Sequence, residues 1–246
     1  MTSVRLPAGH RLVHFEEIDS TNAEAQRLAA EGERGPIWIW SDRQSAGRGR
    51  LGRSWVSEEG NLFVTHVFAP DVPPAVVAQL SFVAALAVHD ATVGFSRDAR
   101  VLIKWPNDLL LNGAKFCGIL AEALGNGCVG IGIGVNLAQA PTETPYPVVA
   151  LGAMPPESFL QLLIDSLARR LRQWDIGGGF ASIRADWMLR ALGIGEVVRA
   201  GNDSGIFEGL ALDGALIMRL PNGTVKHVHA GEVRFSSLEH MKKENT

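Results

Sequence analysis

The spacing of apolar residues changes once along this chain, after Gly193. Before that position, stretches with the period of an amphipathic helix alternate with short strand-like runs, which is typical of a sheet flanked by helices. Helices are predicted over residues 21–30, 73–91, 156–174 and 180–192, the first with Thr21 and Glu24 as its capping box. Strands are predicted over residues 36–41, 61–68, 100–105, 108–111, 114–123 and 128–137.

The segment from Glu196 to Phe235 has a different pattern of apolar and turn-forming residues. Short β-like runs are separated there by turn signals such as Asp213-Gly214 and Asn222-Gly223, a pattern typical of a small barrel. We therefore predict an α+β chain with two domains. Residues 1–192 would form a mixed sheet flanked by helices, and residues 193–246 would form a small β-barrel.

Composition excludes several classes of protein. Of the 246 residues, 46% are hydrophobic, which is too many for a disordered chain. The 23 Lys and Arg against 26 Asp and Glu give a formal net charge of −3, so the surface is not basic on average. We find no apolar run of the roughly 20 residues that a membrane span needs and no signal peptide, and Cys117 and Cys128 lack metal-ligand or disulfide-scaffold spacing. These features predict a soluble cytoplasmic protein with no membrane segment and no metal ligands of its own.

One short segment is strongly basic in spite of that average. Residues 43–53 hold four arginines and no acid, with glycines between them. Glycine lets successive backbone N–H groups turn toward one point, and arginine forks match phosphate oxygens, so the segment predicts a loop for a polyphosphate or an adenylate. A flexible surface loop or a nucleic-acid-binding tail would have the same composition. Strong sequence-independent binding to nucleic acid needs several phosphate contacts, so a single loop in an acidic chain favours the small ligand.

A lysine and a carboxylate share one face of the predicted hairpin around Asn112-Gly113, a strong two-residue turn signal. With a two-residue turn, Leu110 lies opposite Lys115. Asp108 then lies opposite Cys117, and strand alternation places Asp108 on the same face as Lys115. Because the surrounding strands are apolar, this polar pair is expected either to face a ligand or to form a structural ion pair at the sheet edge.

Glycine occupies every second position in the middle of the last predicted strand of the first domain, at Gly130, Gly132 and Gly134. One face of this strand is therefore bare while the other is lined by valine and isoleucine. A bare face allows a flat ligand to lie on the backbone. Close packing of a helix against the sheet would need the same face, so both interpretations stay open.

The start of the first helix is a further candidate. Ser20, Thr21 and Asn22 are ordinary capping residues and need no function beyond that. A helix N-terminus also presents N–H and hydroxyl donors, which suit a carboxyl or ureido group. The sequence alone favours the structural role.

Taken in their order along the chain, these motifs resemble those of the biotin protein ligase family. The resemblance covers roughly residues 10–140 and implies a class II synthetase-like catalytic domain, and the β-rich tail is similar to that family's small SH3-like domain. The first family motif begins at Ser20, which leaves no room for the winged-helix domain of repressor-type members, so no specific DNA binding is expected. The motifs are Ser20-Thr21-Asn22, Gln44 with Gly47 to Trp55, Lys104 to Asp108, Lys115 with Gly118 to Leu120, and Gly132 to Asn136.

The resemblance implies a reaction in two steps. Biotin and MgATP would form biotinyl-5′-adenylate and pyrophosphate, and a lysine of the biotin carboxyl carrier protein of acetyl-CoA carboxylase would then attack the mixed anhydride. Lys115 would bridge the biotin carboxylate and the α-phosphate, Arg50 would neutralise phosphate charge, and Asp108 would orient or deprotonate the incoming lysine. Biotin, ATP and Mg²⁺ are the expected ligands, and a homodimer is left open.

Two sets of binding residues follow from the resemblance. The expected biotin-binding residues are Ser20, Thr21, Asn22, Gln44, Gly47, Arg48, Gly49, Arg50, Lys115, Gly118, Gly132 and Gly134. The expected ATP- and adenylate-binding residues are Arg48, Arg50, Arg53, Trp55, Lys104, Asn107 and Asn136. The alternatives are lipoate ligation, which uses a related fold, and a non-enzymatic protein that binds nucleic acid through the arginine loop.

Overall fold

The computed structural model describes residues 4–95, 100–152 and 154–238, and it contains two β-sheets. The first sheet is formed by β1 (Arg11–Ile18), β2 (Ile37–Gln44), β3 (Leu62–Phe68), β4 (Val101–Lys104), β5 (Asp108–Leu111), β6 (Ala114–Gly125) and β7 (Cys128–Val135). The second is formed by β8 (Val197–Ala200), β9 (Asp203–Leu210), β10 (Leu216–Arg219), β11 (Val225–Val228) and β12 (Val233–Phe235). The helices are α1 (Thr21–Ala30), α2 (Pro74–Val77), α3 (Leu80–Phe95), α4 (Pro156–Trp174) and α5 (Phe180–Met188).

The first sheet is mixed and has helices on both faces. Its strand order is β1-β2-β3-β7-β6-β5-β4, with β1 parallel to β2 and every other neighbouring pair antiparallel. Because side chains alternate along a strand, Ile37 and Ile39 pack with Ala25 of α1 on one face, whereas Trp38 joins the main core formed with α3, α4 and α5 on the other. The predicted fold class, a mixed sheet flanked by helices, is confirmed.

The second sheet is antiparallel, with strand order β11-β10-β9-β8-β12, and matches the predicted β-rich tail. It is not packed separately from the first part of the chain. Trp105 Nε1 donates a hydrogen bond to the Gly214 carbonyl at 3.1 Å, and the ring of Phe82 lies against Gly214. Buried residues of both sheets accordingly belong to one continuous hydrophobic core.

Several elements differ from the sequence prediction. Strand β1 was not predicted, because its sequence mixes exposed charged residues with apolar ones as an edge strand does. The helix predicted over 73–91 is instead two helices, α2 and α3, and the second continues to Phe95. The predicted capping box at Thr21 is wrong by one residue: Ser20 has extended backbone and its hydroxyl accepts a hydrogen bond from Ala23 N at 3.4 Å.

One stretch of the described chain, Pro74–Phe95, has the length and hydropathy to cross a membrane. Its most apolar 18-residue window is 61% buried inside the fold. Helix α3 packs between the first sheet and α4, which accounts for an apolar surface on nearly every side.

Candidate active site

The predicted motifs meet in one cavity at the N-terminal end of α1. The arginine loop, the β5–β6 hairpin and the glycine face of β7 border this cavity. Among the described residues, five cationic side chains and two carboxylates, those of Asp108 and Glu232, line it, so their field favours an anionic ligand. The cationic side chains are those of Arg48, Arg50, Arg53, Lys104 and Lys115.

The arginine loop is held in shape by its own backbone. Trp55 N donates to the Gly47 carbonyl at 2.9 Å, and Gly49 N donates to the Arg53 carbonyl at 2.8 Å. Leu51 at the tip has a φ of 57° and a side chain exposed by 71%, a conformation unfavourable for a non-glycine residue. Nothing in the core holds this tip, so the loop has the properties of a segment that rearranges around a ligand.

Two basic side chains of the cavity are partly desolvated. Burial lowers the pKa of Arg50, whose Nη1 donates to Asn107 Oδ1 at 3.2 Å. Burial also lowers the pKa of Lys104, which lies in the field of Asp108. A charge kept in such surroundings interacts more strongly with an anion than the same charge in water.

Lys115 and Asp108 form an ion pair inside the cavity. Nζ of Lys115 lies 2.7 Å from Oδ1 of Asp108, and the two side chains are 15% and 21% exposed. Burial alone would lower the pKa of Lys115, but the Asp108 carboxylate outweighs it and raises the pKa above its usual value. Lys115 is therefore a fixed cation, and Asp108 is its counter-ion.

The hairpin that carries this pair differs in register from the prediction. Leu110 is opposite Lys115 as expected, and Asn112 and Gly113 form the turn with φ of 50° and 85°. Asp108, however, is opposite Gly118 and not Cys117, because the register shifts between Leu109 and Leu110. This irregularity leaves Asp108 beside a residue without a side chain, so the carboxylate has room to face Lys115.

A buried polar network supports the start of α1. Backbone N of Thr21 donates to Gln44 Oε1 at 2.8 Å, and the Thr21 hydroxyl donates to the same oxygen at 3.1 Å. The hydroxyl of Thr65 in β3 lies 2.9 Å from that of Thr21 and donates to Asn22 Oδ1 at 3.0 Å. The Asn22 amide donates to Glu122 Oε2 at 3.1 Å. These groups are held by one another, so they offer a rigid polar wall to a ligand.

Two side chains cover the glycine face of β7 at Gly132 and Gly134. A Cβ placed on Gly134 would lie 2.6 Å from the indole of Trp55, and one placed on Gly118 of β6 would lie 2.7 Å from it. A Cβ on Gly132 would lie 1.9 Å from Asn22 Oδ1. The absence of a side chain at Gly132 thus makes room for Asn22 of α1, and its absence at Gly134 makes room for a flat ring. The Trp55 Nε1 atom is buried with no hydrogen-bond partner in the described part of the chain.

One wall of the cavity comes from the second sheet, through residues 231–233. An Nη2 atom of Arg53 donates to Glu232 Oε2 at 2.9 Å, and this bond, aided by the positive charges nearby, lowers the pKa of Glu232. The arginine loop is therefore connected to the second sheet across 179 positions of sequence.

Most of the predicted site residues line this cavity. Ser20, Gly47 and Asn136 do not: Ser20 caps α1, Gly47 is a buried residue at the start of the loop, and Asn136 is buried with its amide directed at the Val149 carbonyl at 3.4 Å. The predicted residues that line it are Thr21, Asn22, Gln44, Arg48, Gly49, Arg50, Arg53, Trp55, Lys104, Asn107, Asp108, Lys115, Gly118, Gly132 and Gly134.

The sequence prediction gave no role to three residues that support the site. Thr65 is a buried hydroxyl in a strand that is apolar apart from Thr65 and His66, which is a usable signal for a functional contact. Glu122 holds Asn22 and lies 3.4 Å from Arg48, and Glu232 binds Arg53 from the other sheet. Neither contact has a local signal in sequence. No group of three His, Cys, Asp or Glu side chains suited to a metal ion occurs within the described ranges.

This arrangement suits the joining of a carboxylate to a phosphate. A flat ring can lie on the glycine floor, arginine forks can hold a polyphosphate, and a fixed ammonium stands between them where negative charge develops. The carboxylate of Asp108, which pairs with Lys115, lines the same space.

Comparison with known protein families gives two matches. The family described as Biotin/lipoate A/B protein ligase matches residues 15–136, and the Biotin protein ligase C terminal domain matches residues 194–236.

Individual relatives are similar over most of the chain. A biotin–(acetyl-CoA-carboxylase) ligase of Paracoccus denitrificans is 47% identical, over 88% of this chain and 97% of the relative. A bifunctional ligase/repressor BirA of Bacillus subtilis is 31% identical, over 92% of this chain and 74% of the relative. Among solved structures, a biotin protein ligase from Aquifex aeolicus in complex with biotin and ATP has a TM-score of 0.79 and 26% identity, covering 92% of this chain and 99% of that one.

Proposed function

Since this chain belongs to the biotin protein ligase family, we propose that it attaches biotin to a lysine of a carrier protein in two steps driven by ATP. In the first step the biotin carboxylate attacks the α-phosphate of ATP, pyrophosphate leaves, and biotinyl-5′-adenylate forms. In the second step the amine of the acceptor lysine attacks the acyl carbon, loses a proton, and releases AMP. Activation is required because a free carboxylate is a poor acyl donor.

The observation that carries this proposal is the position of Lys115 between the glycine floor and the arginine loop. Its Nζ lies 5.3 Å from the centre of the Trp55 ring, which occupies that floor. A ligand ring in the same place would bring its carboxylate toward the ammonium, and the ammonium would neutralise charge on the attacked phosphate. Arg48, Arg50 and Arg53 would hold the triphosphate and then the adenylate. The wall formed by Thr21, Asn22 and Gln44 would bind the polar edge of biotin.

Asp108 takes part in the second step within this proposal. The acceptor amine enters as an ammonium and must lose a proton before it attacks. Asp108 either accepts this proton or orients the amine, while Lys115 stays on the phosphate. Replacing Asp108 with Asn would then slow transfer to the carrier more than it slows adenylate formation.

The ligands and setting follow from the same proposal. Biotin and ATP are the substrates, and Mg²⁺ arrives bound to ATP, because the cavity carboxylates are already paired with Lys115 and Arg53. The relative from Paracoccus is named for acetyl-CoA carboxylase, so the acceptor is the biotin carboxyl carrier protein of that enzyme. We place the enzyme in the cytoplasm, with residues 1–192 as catalytic domain and 193–246 as C-terminal domain, and we assign it neither specific DNA binding nor membrane attachment.

The decisive experiment measures exchange of labelled pyrophosphate into ATP. Exchange should require biotin, should not occur with lipoate, and should be followed by transfer of biotin to the isolated acceptor domain. Exchange supported by lipoate would replace the proposal with lipoate ligation. No exchange with either acid, together with salt-sensitive binding to duplex DNA, would favour a nucleic-acid-binding protein.

A further inference from the structure

Glu122 lies behind the polar wall formed by Thr21, Asn22 and Gln44. It belongs to β6, is set back from the described residues that line the cavity, and has a side chain exposed by 24%. Its Oε2 accepts a hydrogen bond from the Asn22 amide at 3.1 Å, and its Oε1 lies 3.4 Å from Nη2 of Arg48. Glu122 therefore contacts two residues of the cavity without facing a ligand itself.

The carboxylate of Glu122 dictates how the amide of Asn22 is turned. A carboxylate only accepts hydrogen bonds, so Nδ2 of Asn22 has to face it. The carbonyl of Leu120, 3.5 Å from Nδ2, is a weaker acceptor on the same side. The Oδ1 atom consequently points the other way, toward the hydroxyl of Thr65 at 3.0 Å.

This orientation leaves the wall with fewer protons than oxygen contacts. Asn22 and Gln44 contribute carbonyl oxygens to these contacts, and each threonine hydroxyl carries one proton. Two protons thus serve three contacts, so the wall accepts hydrogen bonds more readily than it donates them. The contacts are Asn22 Oδ1 to Thr65 Oγ1 at 3.0 Å, Thr65 Oγ1 to Thr21 Oγ1 at 2.9 Å, and Thr21 Oγ1 to Gln44 Oε1 at 3.1 Å.

The other end of the wall is fixed by the backbone. The N–H group of Thr21 can only donate, so Gln44 has to turn Oε1 toward it, at 2.8 Å. Nε2 of Gln44 then donates to the hydroxyl of Ser57 at 3.2 Å. A backbone group thus sets the hydrogen-bond polarity at this end, and the side chain of Glu122 sets it at the other.

A reversed Asn22 amide would remove the shortage of protons. Its Nδ2 would donate to Thr65, and the Thr65 hydroxyl would donate to Thr21. The Thr21 hydroxyl would then donate to Gln44, so each contact would hold one proton. Buried polar groups favour such complete pairing. Glu122 opposes the reversal, because it would bring the carbonyl oxygen of Asn22 against a carboxylate oxygen.

We propose that Glu122 is a positioning residue that makes the wall selective for the N–H groups of the biotin ureido ring, by holding Asn22 in this orientation. The inference rests on the proposed function and deepens it, because it names the residue that sets which hydrogen-bonding groups the wall accepts. A ureido N–H supplies the donor that the wall lacks. Lipoate carries no N–H group, and a site built for a hydrogen-bonding group rejects an analogue without it.

The test compares Glu122→Gln with the unsubstituted chain by biotin-dependent pyrophosphate exchange and by calorimetric titration with biotin. Glutamine keeps the size of the side chain but can donate through its own amide, so the Asn22 amide is free to reverse. A second variant, Glu122→Ala, removes the acceptor altogether, and urea unfolding verifies that each chain is folded. The matched control is Glu16→Gln, the same change at an exposed position of β1.

We expect both Glu122 variants to raise KM and Kd for biotin about tenfold or more, since hydrogen bonds with charged groups are among the stronger ones. The value of kcat at saturating biotin should stay within twofold, because Lys115 is unchanged. KM for ATP should also change little, because the contact with Arg48 is long and partly exposed. The control should match the unsubstituted chain in every measurement.

A double-mutant cycle with Asn22→Ala separates positioning from a general weakening of the fold. In the Asn22→Ala background, Glu122→Gln should change KM for biotin by less than twofold, because Glu122 acts through Asn22. An equal loss in both backgrounds would overturn the proposal. A Kd for biotin within twofold of the unsubstituted chain in a folded Glu122 variant would also overturn it, as would an equal loss in Glu16→Gln. Absence of both exchange and biotin binding in the unsubstituted chain would instead refute the proposed function.

Discussion

Replacing Lys115 with Met tests the chemistry of the site most directly. Its ammonium is held 2.7 Å from Asp108 with only 15% of the side chain exposed, so it is a fixed charge in a partly desolvated cavity. A unit charge about 4 Å from an anionic oxygen contributes about 4 kcal/mol at an effective dielectric constant of about 20. At about 1.4 kcal/mol per factor of ten, its loss should slow adenylate formation about a thousandfold.

This substitution also removes the counter-ion of Asp108, so its effect on stability has to be distinguished from its effect on catalysis. Removing one partner of a buried ion pair costs about 3–5 kcal/mol of stability, and a pair that keeps some solvent contact costs less. The double variant Lys115→Met, Asp108→Asn has neither charge, so it should regain most of the stability that the single variant loses. It should not regain activity, because the ammonium is still absent.

Both quantities can be measured on the same preparations, stability by urea unfolding and adenylate formation by biotin-dependent pyrophosphate exchange. If the folded Lys115→Met variant exchanges within tenfold of the unsubstituted chain, the role given to Lys115 is wrong. If the double variant recovers exchange together with stability, loss of structure explains the defect and the electrostatic argument fails.

Three further predictions concern other parts of the molecule. Burial lowers the pKa of His66 to about 3; because an unfolded histidine titrates near 6.5, this contribution to stability is complete above pH 6.5 and is lost as the pH falls toward 3. Urea unfolding at pH 7 and pH 5 should show a loss of about 2 kcal/mol that is absent in His66→Gln, and an equal loss in both chains would contradict the assignment. Trypsin should cut within residues 48–53 in the free chain and more slowly with biotin and ATP, so equal cleavage rates would argue against ordering of the loop. Gly134→Ala should raise KM for biotin about tenfold or more, since one added carbon already meets the indole, whereas Gly94→Ala, where the added carbon contacts nothing within 4 Å, should leave KM unchanged.

Local signals were sufficient to predict much of the fold. Helix α4 has the bounds that its apolar period predicts, and the Asn112-Gly113 turn has the positive φ values that favour those two residues. Strand β1 was missed because it is stabilised by parallel pairing with β2, whose sequence lies beyond an intervening helix. The register shift at Leu109 was missed for a similar reason, since no residue type there signals an extra position on the partner strand.

The candidate site likewise has features that local signals predicted and contacts that they did not. The order of motifs predicted which residues meet around the cavity, and strand alternation predicted that Lys115 and Asp108 share a face. Contacts between distant segments had no such signal. The bond from Arg53 to Glu232 depends on how the second sheet packs on the first, and the bond from Asn22 to Glu122 depends on where α1 crosses β6.

The indole of Trp55 occupies the floor of the cavity, where it would compete with a bound ligand. It covers Gly134 and Gly118, the floor on which the proposed function places biotin, and it belongs to the loop to which the same proposal assigns ATP. Under the proposed function, only molecules in which the indole has left this floor accept biotin, so the apparent affinity for biotin equals the intrinsic affinity multiplied by the open fraction. An open fraction of about 1% would weaken apparent binding about a hundredfold. Within this proposal, the affinity for biotin therefore depends partly on how stably the indole of Trp55 packs on Gly118 and Gly134.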